Sequence, residues 1–296
     1  MPERSAILAG IGLMLVAMLM FSVNDALGKW LVATYSVGQI LLIRAIAALA
    51  MLSPFILHSG LETFRAAPQP GLQLLRVGLS TMEVACFYAA VWYLPLADAM
   101  TFYLAGPIYV TALSAIFLGE TVGRYRWGAV IVGFVGVLVA LKPSGESLGI
   151  GSLIAIAGSL FYALLMIVTR QLKSTSHVVL ASTQVLGALA FGIVTAPFTW
   201  VAVGPVDYAL LSLLGMASIM AIVLVNQSLK LAPASVVVPY QYTLIVWAIL
   251  FGYLVFGDVP QRHTIAGAAI IVASGLFIFL REHRLARATA GPLPER

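Results

Sequence analysis

Residues 7–33, ILAGIGLMLVAMLMFSVNDALGKWLVA, decide the fold. An α-helix needs about 20 apolar residues to cross a bilayer, and this run exceeds that length while keeping Asn24, Asp25 and Lys29 near its end. The rest of the chain agrees with a membrane setting. Apolar residues make up 61% and charged residues 9% of the sequence, with a mean hydropathy of +1.04. Soluble domains need roughly a quarter charged residues to cover their surface, so a soluble enzyme is excluded. Cys86 is the single cysteine, which leaves no intrachain disulfide to expect.

Nine further apolar runs follow, at 38–58, 72–94, 96–118, 125–141, 149–171, 178–200, 208–230, 234–256 and 264–281. Short turns such as LKPSGESLG at 141–149 and AVGPVDY at 202–208 connect them, leaving no room for an extramembrane domain. The first run is too long and too polar at its end for a cleaved signal peptide, and is read as helix one. Lys and Arg crowd the loops of one side: twelve fall there, three (Lys29, Lys142 and Arg262) fall on the other, and Arg44 lies inside helix two. Cytoplasmic loops hold such an excess, so both termini are expected in the cytoplasm and the helix count must be even.

The two halves resemble each other. Arg44-Ala45-Ile46-Ala47-Ala48-Leu49-Ala50 aligns with Gln184-Val185-Leu186-Gly187-Ala188-Leu189-Ala190 at a separation of 140. Pro95 with Pro233, Gly119-Glu120 with Gly257-Asp258, Arg124 with Arg262, and Ser80 and Met82 with Ser218 and Met220 all align at 138. Five helices per half is odd, so the second half enters the membrane from the opposite face. The expected fold is an all-α integral membrane protein of ten transmembrane helices arranged as two inverted five-helix repeats. The first repeat spans 1–143, the second 144–285, and 286–296 forms a cytoplasmic tail. Inverted repeats of this kind support alternating access around a site near the midplane.

Several stretches also carry a resemblance: Asn24-Asp25-x-x-x-Lys29 ending helix one, GQILLIR at 38–44, LPLADA at 94–99, LAPAS at 231–235, and the GE and GD ends of helices four and nine. Over nearly its whole length the chain resembles the EamA-type drug/metabolite transporter superfamily. The resemblance implies a ten-helix carrier of small metabolites that uses no ATP. Similar members include exporters of amino acids, some preferring aromatic ones, and importers of riboflavin or S-adenosylmethionine.

Asp25 lies about 12 Å inside the outer end of helix one and Arg44 about 9 Å inside that of helix two, at 1.5 Å per residue. An unpaired charge at that depth costs at least ~2.5 kcal/mol, so each needs a partner or water. Glu83, near the middle of helix three, is the most deeply placed carboxylate. Lys29 stands one turn above Asp25 and is expected to snorkel to the outer surface, beside the gate. Two readings remain open. In one, these groups form a structural ion-pair cluster tying helices one to three together. In the other, Arg44 binds a substrate carboxylate through its planar fork, and Asp25 or Glu83 receives an ammonium group inside a wet cavity. A proton relay through Glu83 is a further option.

The second half has lost these charges: Arg44 aligns with Gln184, Glu83 with Ala221 and, more loosely, Asp25 with Met166. It offers Tyr162, Asn226, Gln227, Tyr240, Gln241 and Tyr242 for hydrogen bonding and stacking, and Tyr103 joins them from helix four. The bland reading of the tyrosines is interfacial anchoring. Pro107 and Pro239 sit inside helices four and nine, where proline bends a helix, and are candidate gates. Helices five and ten are almost wholly apolar and are expected outside the transport core. Gly128, Gly133 and Gly136 there allow close helix contact and, with it, a homodimer through helices five and ten.

No G-x-x-x-x-G-K-[ST] loop and no G-x-S-x-G elbow occurs, and the four histidines fall at loops or tails without metal spacing. No cofactor, metal or nucleic-acid partner is expected. The reading is a multi-pass secondary transporter of the bacterial inner membrane, exporting amino acids or similar small metabolites. An importer of a larger metabolite such as S-adenosylmethionine or riboflavin is the alternative, and an intramembrane enzyme acting on lipid the remote one.

Overall fold

The structure, a computed structural model, describes residues 2–65, 67–117, 123–141, 149–172, 174–231 and 237–289. Gly119, Glu120, Lys142, Lys173, Pro233 and Arg296 lie outside the described residues, as do the side chains of Pro107, Asn226 and Pro239. The described elements are α1 (Pro2–Val32), α2 (Val37–Arg65), α3 (Pro70–Tyr93), α4 (Leu96–Tyr103), α5 (Gly106–Phe117), α6 (Arg124–Leu141), α7 (Ile150–Gln171), α8 (His177–Thr195), α9 (Pro205–Leu231), α10 (Thr243–Phe256) and α11 (Arg262–Thr289). Two 3-10 turns, Ala196–Thr199 and Val238–Tyr242, follow α8 and precede α10.

Among the described residues seven segments are long and apolar enough to span a bilayer, and three shorter apolar ones, Trp127–Ala140, Tyr240–Phe256 and Arg262–Ile278, stand where the remaining expected spans lie. Helices satisfy their own backbone hydrogen bonds, which is why lipid-embedded chain adopts them. Leu57, Phe198, Ile131 and Leu254 stand exposed on the outside, as lipid-facing side chains do and soluble surfaces avoid.

The packing repeats when the halves are exchanged. The broad contact of α1 with α9 corresponds to that of α3 with α7, and that of α2 with α9 to that of α3 with α8. The pairs α2–α8 and α6–α11 map onto themselves. The helix breaks obey the same relation. The fourth span breaks at Leu104–Ala105, between α4 and α5, and the ninth opens with the 3-10 turn ending at Tyr242. At the offset of 138, Leu104 corresponds to Tyr242. The prolines expected to bend helices four and nine therefore lie beside real breaks, one residue into α5 and inside the 3-10 turn.

Several polar groups inside the bundle cross-link the halves. Asn24 Nδ2 donates to the Leu214 carbonyl at 2.7 Å and Ser228 Oγ to the Gly10 carbonyl at 2.6 Å, both joining α1 to α9. Ser274 Oγ donates to the Ala129 carbonyl, joining α11 to α6. At Gly215 the α9 backbone lies directly against the Arg44 carbonyl of α2, so close that a methyl group there would collide with it.

The helices outrun the apolar runs at two places. The second helix continues to Arg65, with Gly60 at φ 73° breaking its regularity just past the expected span. The last helix runs to Thr289, so the first residues of the expected tail at 286–296 are helical. Two of the three glycines thought to prepare helix five for a second protomer serve packing within the chain: Gly133 faces Ile108, and a Cβ on Gly136 would lie 2.9 Å from Ile271 of α11, whereas Gly128 has open space beside it. Small residues let α6 and α11 approach each other, which takes Gly133 and Gly136 out of the argument for a dimer.

Candidate functional site

Call the end of the bundle that carries the start of α1 basal, and the opposite end distal. A cavity of about 690 Å³ runs from mid-depth toward the basal end, where Thr169 of α7, Ala181 of α8 and Ile278 of α11 line it. Helical periodicity explains which side chains reach it. On α3, Arg76, Ser80, Glu83 and Phe87 line the cavity at i, i+4, i+7 and i+11, one stripe of a helix. On α7, Tyr162, Leu165, Met166 and Thr169 do the same, and on α8 Ala181, Gln184, Val185 and Ala188. Asp25 of α1 and Arg44 of α2 enter from the first half.

The sequence candidates Asp25, Arg44, Glu83, Tyr103, Tyr162, Gln184 and Gln241 all line this one cavity. The positions aligned between the halves meet there as well: Arg44 with Gln184, and Asp25 with Met166. Ala221, aligned with Glu83, is instead wholly buried and absent from the lining. Tyr240 is also absent from the lining, packing against the Met14, Met18 and Val237 cluster, while its neighbour Tyr242 lines the cavity. The 3-10 backbone turns these two residues, two positions apart, in different directions. Asn24, the polar neighbour of Asp25, is held by its bond to Leu214.

Arg44 Nη1 donates to Tyr88 Oη at 2.6 Å, and its guanidinium carbon lies 5.4 Å from the Tyr88 ring centroid. No carboxylate among the described residues lies within ion-pairing distance of Arg44, although Asp25 and Glu83 both feel its field. The three charged groups face one cavity without closing on each other. Aromatic rings surround them: Phe87 stands edge-to-face with Tyr88 at 5.6 Å and with Tyr103 at 5.4 Å.

Arg76 is the residue sequence reasoning missed. It is one of the twelve Lys and Arg that the sequence assigns to the loops of one side, yet it is 6% exposed and lines the cavity toward the basal end. The signal was its spacing of seven from Glu83, which places both on one helical face.

Contacts between the two halves gather at the distal end. Lys29 Nζ lies 2.6 Å from Asp258 Oδ2 and 4.7 Å from the Phe256 ring centroid. Its side chain is pinned between helix ends and does not snorkel outward. Tyr35 Oη donates to Asp207 Oδ2 at 2.5 Å, and Gln39 exchanges two bonds with the backbone of Val201, at 2.7 and 3.2 Å. Each contact joins the first half to the second, and none of these residues lines the cavity. Hydrogen bonding to Asp207 holds the Tyr35 hydroxyl above its ordinary pKa, because losing its proton would set two anions side by side. Among the described residues no cluster of three His, Cys, Asp or Glu side chains could hold a metal ion.

The EamA-like transporter family model matches the chain twice, at residues 8–142 and 149–280. The chain is 25% identical over 280 residues to an S-adenosylmethionine uptake transporter of Rickettsia conorii, covering 94% of each. It is 27% identical to a riboflavin transporter of Vibrio cholerae, over 93% of this chain and 94% of that protein. It is 26% identical to a pseudopaline exporter of Pseudomonas aeruginosa, over 90% and 94%. A solved crystal structure superposes with a TM-score of 0.63 over 95% of this chain and 99% of the other, at 16% identity. Two successive matches that cover most of the sequence, on a membrane bundle whose packing repeats when its halves are exchanged, place the chain in the EamA-like transporter family.

Proposed function

We propose that the protein is a secondary carrier of metabolites that bear an α-amino-acid group on a larger, ring-containing body, working by alternating access between its two halves. The observation that carries this reading is Arg44, bonded among the described residues to Tyr88 alone and sharing its cavity with Asp25 and Glu83. A guanidinium fork suits a carboxylate, and the acids suit an ammonium. Two guanidinium and two carboxyl groups line the cavity, a balance that matches a zwitterion.

The cavity volume favours more than a free amino acid, since about 690 Å³ falls within the roughly 300–1,000 Å³ of sites for drug-sized ligands. S-adenosylmethionine is the reference case: an amino-acid head, a sulfonium that suits aromatic faces, and a purine to stack on rings such as Phe87 and Tyr103. The uptake transporter of Rickettsia supports that choice. Export of free aromatic amino acids is the second reading, favoured by the same Arg44 and the same rings. Riboflavin has no carboxylate for Arg44 and fits less well. Direction follows the gradient in a carrier without a coupled ion.

We place the chain in a bacterial inner membrane with both termini and the basal end in the cytoplasm, on the loop distribution of Lys and Arg. Asp25, Arg44 and Glu83 are assigned to substrate binding, with Tyr103, Tyr162, Gln184 and Gln241 contributing contacts. Lys29 is assigned to the distal gate.

Counterflow in proteoliposomes tests this. Labelled S-adenosylmethionine and a panel of amino acids are offered to the unmodified protein, Arg44→Gln and Glu83→Gln. At least one amino-acid-bearing probe is carried, and both variants lose tenfold or more of that transport while staying monodisperse. Undiminished transport in both would return these residues to a structural role.

A further inference from the structure

We propose that Arg76 forms a second carboxylate-binding station at the basal end of the cavity, to which the substrate's acid group passes from Arg44. The inference rests on the reading of Arg44 as the first such station and extends it to a residue outside that set.

Three observations carry it. First, Arg76 is a charge in the wrong place for a structural one: 6% exposed and about 9 Å inside the start of α3 at 1.5 Å per residue. Second, its partners are all neutral. Nε donates to Thr169 Oγ1 at 3.0 Å, Nη1 to the Leu180 carbonyl at 2.9 Å, and Nη2 to Gln184 Oε1 at 3.2 Å. No carboxylate among the described residues pairs with it, so its charge has no direct partner within the bundle, where charges are normally paired. Third, a guanidinium has five N–H groups, and these bonds use three. Among the described residues one N–H on each terminal nitrogen is left without a protein acceptor, so the guanidinium keeps donors for the two oxygens of a carboxylate.

The neutral bonds aim the fork. Thr169 is on α7, and Leu180 and Gln184 are on α8, so Arg76 is braced from two helices of the second half and holds one orientation beside the cavity. Gln184 is the repeat counterpart of Arg44. It carries no charge of its own, and through its bond to Arg76 it brings a guanidinium to the second half's side of the cavity. Both cations come from the first half: Arg44 toward the middle, and Arg76, braced by the second half, toward the basal mouth. Glu83 lies between them, about 10 Å beyond Arg76 on the same α3 face.

The test separates the two stations. Arg76→Gln keeps hydrogen-bonding capacity without charge, and Arg76→Lys keeps charge without the fork. Proteoliposomes sorted by orientation report half-saturation from the basal and distal sides for two probe pairs: S-adenosylmethionine with its decarboxylated form, and phenylalanine with phenethylamine. Arg76→Gln raises basal half-saturation for the carboxylate-bearing probe tenfold or more and leaves its distal value within twofold. Arg76→Lys gives an intermediate basal value, and the decarboxylated probe is handled alike by all three proteins. Wild-type basal half-saturation in Arg76→Gln overturns the proposal, as does equal weakening for both members of a pair, which marks a bracing role only. If Arg44→Gln weakens carboxylate-bearing probes while Arg76→Gln does not, the second station is overturned and the first stands. If neither variant distinguishes the probes, or no probe is carried, both are overturned.

Discussion

Lys29 and Asp258 meet at 2.6 Å across the distal end, tying the last turn of α1 to the residue just beyond the C-terminal glycine of α10. The geometry is built locally on each side. Gly257 adopts φ 70°, its N–H bonds to the Tyr253 carbonyl and that of Asp258 to the Gly252 carbonyl, both at 3.0 Å. The bond from Gly257 to Tyr253 is that of an αL C-cap, which glycine accepts without strain. The cap fixes the Asp258 backbone where Lys29 can reach its side chain.

Breaking this pair opens the distal end. A partly exposed pair with side chains 12% and 28% accessible contributes about 1 kcal/mol at most. Lys29→Met or Asp258→Asn should therefore raise distal access several-fold, not abolish closure. Labelling of a cysteine introduced at Ala188, in a Cys86→Ala background, by a membrane-impermeant thiol reagent from the distal side measures it. Labelling no faster than with the latch intact would remove Lys29 from the gate.

Gly257→Ala should act through the same latch by another route. A side chain at φ 70° costs roughly 1–2 kcal/mol. The cap loosens, the melting temperature falls, and distal labelling of the Ala188 cysteine rises together with it. A drop in melting temperature without any gain in labelling would separate the cap from the gate.

Tyr88→Phe removes the hydroxyl that accepts from Arg44 and keeps the ring beneath the guanidinium. A lost hydrogen bond to a charged group is worth about 1.5–3 kcal/mol, so half-saturation for a carboxylate-bearing probe should rise about tenfold or more. Decarboxylated probes should be unaffected, which a side-by-side transport assay decides.

Gly215→Ala should damage both fold and function. Its methyl group would meet the Arg44 carbonyl, a backbone atom that cannot swing aside. The expected loss is several degrees of melting temperature, with transport reduced because Arg44 is displaced with its helix. Wild-type thermal stability would contradict the close approach of α9 to α2.

The bond between Tyr35 and Asp207 predicts a pH signature. Because the folded-state pKa of Tyr35 is raised, its stabilising contribution is complete below the unfolded value of about 10 and is lost as pH climbs through the higher folded value. The gap in melting temperature between the unmodified protein and Tyr35→Phe should stay level from about pH 7 to 9 and narrow above about 10. A gap already shrinking near neutrality would place Tyr35 away from Asp207.

Much of the architecture was legible in the amino-acid order. Ten apolar runs, an offset of 138 and the GD cap at 257–258 are local facts, and a bilayer turns such runs into helices because an unsatisfied backbone group has no water there. Depth was legible too, since residues count distance along a helix, and it brought Asp25, Arg44 and Glu83 into consideration together. Azimuth between helices was not. Which side chains face the cavity depends on how each rod rotates against its neighbours, a property of side-chain packing and not of spacing along one strand of sequence. That rotation left Tyr240 among Met14 and Met18 while Tyr242 reached the cavity, sent Lys29 to Asp258 instead of the membrane surface, and used the glycines of α6 against α5 and α11. It also turned Arg76, to all appearances a loop charge, into a buried guanidinium braced by two helices of the other half.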